Sequence, residues 1–174
     1  MTIAQDDLSA RCHPIELLVL DVDGVLTDGA IVVDDNGVES KHFFVRDGSA
    51  IVRWRNSGRR VAILSGRSAA CVAIRAAELG IDPVIQGSAD KGEAFLAIVD
   101  DFGLYAHQAC FMGDDLADLP ALALAGLAAC PADAAGEVVA ACRYVAKAPG
   151  GRGAVREVVD LILAHAGPGP AAPA

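Results

Sequence analysis

The chain has 174 residues, 53% of them apolar and 21% charged, with a formal net charge of −9. That size and balance suit one globular domain with a real core and exclude a disordered chain. The acidic excess argues against nucleic acid or an anionic membrane as partner, and no apolar run approaches the ~20 residues that cross a bilayer.

Taken in order, residues 1–14 read as a loose arm, polar and acidic, without the basic-then-apolar pattern of a secretory leader. The five cysteines, Cys12, Cys71, Cys110, Cys130 and Cys142, are dispersed and odd in number, which predicts reduced thiols and a cytoplasmic location. An apolar run over 15–20 predicts a buried first strand that stops at Asp21 and Asp23. Gly24 lets the chain turn there. Asn36-Gly37, flanked by β-formers, predicts a hairpin over about 30–44.

A helix is expected over 49–56, ended by Ser57-Gly58, then a second strand over 60–64 that stops at Ser65-Gly66-Arg67. Ser68 is placed to cap a helix ending at Gly80. A short strand over 83–86 precedes Lys91 and a helix over 92–102. The strand over 108–112 ends at Gly113-Asp114-Asp115, with a helix over 116–124 behind it. A strand over 127–130, a helix from 134, a strand over 144–146 and a helix over 154–166 follow, and 167–174 reads as a disordered tail. Strands alternate with helices, which predicts an α/β fold with a doubly wound parallel sheet. No linker divides the chain, so 1–166 is expected to be a single domain.

Asp21 with Asp23, Ser65, Lys91, and Asp114 with Asp115 all fall just beyond strands. In a doubly wound sheet these ends face one side, where ligands bind. Singly, each has a plain explanation as a turn, a solvated lysine or a helix cap. Together they suit phosphoryl transfer through an aspartate: carboxylates for Mg²⁺, a carboxylate nucleophile, and a hydroxyl and an ammonium for the phosphoryl oxygens.

These residues resemble the haloacid dehalogenase (HAD) superfamily of phosphatases, over 15 to about 163. The first motif stands as Asp21-Val22-Asp23-Gly24-Val25-Leu26-Thr27 and the fourth as Gly113-Asp114-Asp115-Leu116-Ala117-Asp118. The resemblance implies a Rossmann-like HAD fold in which Asp21 is the nucleophile and Asp23 the general acid and base. Ser65 and Lys91 would hold the phosphoryl group. Asp114, Asp21 and the backbone carbonyl of Asp23 would bind Mg²⁺, supported by Asp115 and Asp118.

A narrower resemblance rests on Arg46-Asp47-Gly48, Ser65-Gly66-Arg67-Ser68 and Gly150-Gly151-Arg152-Gly153. It is to the HAD phosphatases of 2-keto-3-deoxy sugar acids, which act on 3-deoxy-D-manno-octulosonate 8-phosphate or on nonulosonate 9-phosphates. It implies substrate contacts from Thr27, Arg46, Gly66, Arg67, Arg75 and Arg152, since arginine's planar fork suits carboxylate and phosphate. Ser49-Ala50 departs from the pattern and leaves the particular sugar acid open. The intervals after the first and second motifs hold no cap domain. The subfamily implies a homotetramer whose hairpins supply the lid. A receiver-like or regulatory paralogue is the alternative, disfavoured by the second acid at Asp23 and by the retained Asp21 and Lys91. The four histidines form no ligand spacing, against a zinc hydrolase.

Overall fold

The computed structural model describes residues 5–166. Eight strands occur among them: β1 (Leu17–Leu20), β2 (Val32–Val33), β3 (Glu39–Ser40), β4 (Arg60–Leu64), β5 (Val84–Ile85), β6 (Ala109–Met112), β7 (Leu127–Cys130) and β8 (Tyr144–Val145). Six of them form a parallel sheet in the order β5-β4-β1-β6-β7-β8. The first strand lies between β4 and β6, with Leu20 in register with Ile63 and Met112.

Strand periodicity sorts the core into two halves. Leu18, Leu20, Val61, Ile63, Cys110 and Met112 face one side, and Leu17, Val19, Ala62, Leu64, Ala109 and Phe111 the other. Both sides are covered, which is why the strands read as continuous apolar runs. Helices α1 (Gln5–Cys12), α2 (Val45–Asn56), α3 (Ala70–Leu79) and α7 (Ala154–His165) cover the first side. Helices α4 (Lys91–Asp101), α5 (Leu119–Leu124) and α6 (Gly136–Ala141) cover the second.

Several expectations are corrected. Part of the expected loose arm is helical: Leu8 and Cys12, one turn apart, pack on the core from α1. Helix α2 starts at Val45, so Arg46, Asp47 and Gly48 form its first turn. A Cβ at Gly48 would meet the end of the Arg75 side chain, which would have to shift. Ser68 does not cap α3; Ala69 holds the cap position and its amide donates to Gln86 Oε1 at 2.9 Å. A 3₁₀ turn, Leu116–Asp118, precedes α5 where one helix was expected. The expected disordered tail, 167–174, lies outside the described residues.

The hairpin strands β2 and β3 are short and pair in a sheet of their own. Asp34 closes their turn, accepting from the amides of Asn36 at 2.9 Å and Val38 at 2.8 Å. Beyond β3 the chain runs back over the carboxyl end of β1, where Lys41 meets Asp23.

Candidate active site

Asp21, Asp23, Ser65, Gly66, Arg67, Lys91, Asp114, Asp115 and Asp118 line one cavity of about 290 Å³ at the carboxyl ends of the central strands. Parallel strands bring their ends to one side, and β1 in mid-sheet places Asp21 between the other contributors.

Lys91 opens α4, and Asp90 caps that helix by accepting from the Glu93 amide at 3.0 Å. The Lys91 ammonium lies 2.8 Å from Asp21 Oδ2 and 2.6 Å from Asp118 Oδ1. Burial works against its charge, but Asp21 and Asp118 outweigh burial and raise its pKa. Asp118 is fully buried, and its other oxygen accepts from the amides of Asp114 at 2.9 Å and Asp115 at 3.1 Å. One carboxylate thus anchors both the lysine and the loop after β6. Asp115 instead caps the 3₁₀ turn, accepting from the Leu116 amide at 2.8 Å.

Burial pushes the Asp21 carboxyl up to about 6, with Asp118 adding to the effect and Lys91 opposing it. Burial also pushes Asp114 up to about 7, reinforced by the negative charges of Asp21, Asp118 and Asp115. Oxygens of Asp21, Asp114 and Asp118 lie within 4.8 Å of one another. Among the described residues no lysine or arginine forms an ion pair with Asp114. A crowded carboxylate set short of positive charge fits a hard divalent cation. Gly24 lies against this set: its φ is +80°, and a Cβ there would meet the Asp114 carboxylate.

Ser65 is buried beside this cluster, its hydroxyl accepting from the Arg67 amide at 3.3 Å. Arg67 reaches Glu39 Oε2 at 2.9 Å and Asp23 Oδ2 at 3.6 Å. The other expected substrate contacts stand apart. Thr27 is buried, donating to the Val22 carbonyl at 3.3 Å and accepting from the Gly29 amide at 3.2 Å, so its hydroxyl braces its own loop. Arg46 lies over the Phe44 ring. Arg75 lies over Phe43 and against Glu78, and lines a different cavity. Arg152 lies 3.9 Å from Asp28 and outside the cavity lining. Glu39 and Lys41 are not singled out by the sequence. Their place depends on where the end of the hairpin is laid, which no periodicity encodes.

The model for haloacid dehalogenase-like hydrolases matches residues 33–126. A 3-deoxy-D-manno-octulosonate 8-phosphate phosphatase of Escherichia coli K12 is 43% identical over 157 residues, 90% of this chain and 84% of the relative. The enzyme of that name from Salmonella typhi is 44% identical over 153 residues, 88% of this chain and 81% of the relative. The crystal structure of the Moraxella catarrhalis enzyme of that name, in complex with magnesium, phosphate and KDO, superposes with a TM-score of 0.91 at 38% identity, covering 93% of each chain.

Proposed function

We propose that this chain, which belongs to the haloacid dehalogenase-like hydrolases, removes the terminal phosphate of 3-deoxy-D-manno-octulosonate 8-phosphate. It is a magnesium-dependent phosphatase. The observation that carries the assignment of roles is the meeting of Lys91 with Asp21 at 2.8 Å inside a cavity that also holds Asp23, Ser65 and Asp114.

In this reading Asp21 attacks phosphorus while Asp23 gives a proton to the leaving sugar oxygen. Asp23 then takes a proton from the water that hydrolyses the aspartyl phosphate. Ser65, the Gly66 backbone and Lys91 hold the phosphoryl oxygens as charge redistributes. Asp21, Asp114 and the backbone carbonyl of Asp23 would hold Mg²⁺, which neutralises charge on the phosphoryl group when bound. Arg67, at the cavity wall, suits the substrate's carboxylate.

We also propose that 1–166 is one hydrolase domain without a cap. Support comes from the interval between β1 and β4, which holds the hairpin and α2, and from that between β4 and β5, which holds α3 alone. Ile31, Val32, Val33 and Val38 of the hairpin are exposed β-branched side chains, which supports a homotetramer assembled through this hairpin. A cytoplasmic location is supported by the five free cysteines.

The test is phosphate release with Mg²⁺ across a panel of sugar phosphates. Preference for the octulosonate 8-phosphate is expected. Preference for a nonulosonate 9-phosphate would redirect the substrate, and preference for simple hexose phosphates would contradict the sugar-acid assignment.

A further inference from the structure

We propose that Lys41, carried by the hairpin of the same chain, is a positioning residue for Asp23. The inference rests on the function proposed above. The Lys41 side chain is only 1% exposed, although it follows a solvent-facing hairpin. Its ammonium pairs with Asp23 Oδ1 and lies 2.7 Å from Glu39 Oε1. Arg67 closes the ring, 2.9 Å from Glu39 Oε2 and 3.6 Å from Asp23 Oδ2.

Two lysines therefore divide two carboxylates that are two residues apart. Lys91 takes Asp21, and Lys41 takes Asp23. A long side chain gives up rotamer freedom to be held this way, and pairing with Asp23 and Glu39 offsets part of that loss. Without Lys41, Asp23 keeps Arg67, whose side chain is 48% exposed and whose contact is longer. A group that must reach first the leaving oxygen and then a water depends on its direction, and Lys41 fixes that direction.

Leaving-group chemistry separates this role from a general loss of structure. With p-nitrophenyl phosphate, Asp21 forms the bond to phosphorus, and p-nitrophenolate departs with the bonding electrons and needs no proton. The second step needs Asp23 to take a proton from water as the bond between phosphorus and Asp21 breaks. Stopped-flow release of p-nitrophenolate by Lys41→Met with Mg²⁺ should show a first turnover at the wild-type rate, then a steady state roughly 10- to 100-fold slower. Lys41→Arg should recover part of the steady-state rate. Equal slowing of both phases, or no slowing, overturns the proposal. Asp21→Asn, run alongside, separates the two claims. Turnover that survives in it contradicts the aspartyl mechanism, whereas its loss with an unchanged Lys41→Met contradicts the role of Lys41 alone.

Discussion

Lys91 and Asp118, 27 residues apart in the chain, meet at 2.6 Å in the floor of the cavity, with side chains 5% and 0% exposed. Removing one partner of a buried pair strands the other charge, at a cost of about 3–5 kcal/mol. Lys91→Met is expected to lose that much in urea unfolding of the metal-free protein. Adding Asp118→Leu should recover part of it, because one of the two carboxylates that loss of Lys91 leaves stranded is gone. A double variant less stable than Lys91→Met would show that Asp118 matters mainly to the Asp114 and Asp115 amides.

Asp114 supplies a pH test. Its pKa is raised from 3.8 to about 7 by burial and neighbouring carboxylates. A carboxyl raised on folding contributes its stability fully below the unfolded pKa, and loses that contribution as pH climbs through the folded pKa. Metal-free protein should therefore lose stability at this group between about pH 4 and pH 7, with no further loss from it above that. Asp114→Asn should melt above the wild type at pH 8 in chelator and level with it near pH 4. Mg²⁺ should raise the wild-type melting point at pH 8 and leave the variant unmoved. Equal Mg²⁺ shifts in both proteins would remove Asp114 from the metal site.

Asp47 ties α2 to the first turn of α7 and the loop before it. It is buried, accepting from the amides of Gly153 at 3.1 Å and Arg156 at 2.8 Å. The same loop grips the turn after β1: the Gly151 amide donates to the Val25 carbonyl at 2.9 Å, and a Cβ on Gly150 would collide with the Gly24 carbonyl. Asp47→Ala leaves two amides without their acceptor and should cost about 2 kcal/mol in chemical denaturation. A cost below about 0.5 kcal/mol would show that water replaces the carboxylate.

Much of this architecture is legible in the sequence. Strands covered on both faces announce themselves as apolar runs, and their ends locate Asp21, Asp23, Ser65, Lys91 and Asp114. What escapes a sequence reading depends on contacts between distant segments. The start of α2 is hidden by Gly48, which looks like a breaker but lies in the first turn of the helix beside Arg75. Lys41 reaches Asp23 from 18 residues along the chain, and nothing local marks it. Thr27 belongs to a motif, yet its hydroxyl is spent on Val22 and Gly29.

Every role assigned above requires Asp21 to carry the phosphoryl group. Peptide mass spectrometry of enzyme acid-quenched during turnover of 3-deoxy-D-manno-octulosonate 8-phosphate with Mg²⁺ reads that bond itself. One added phosphoryl mass is expected on the peptide containing Asp21. It should be absent in Asp21→Asn, which should also lose turnover by on the order of 10⁶-fold. Phosphoryl mass on another residue, or full turnover by Asp21→Asn, would contradict the mechanism.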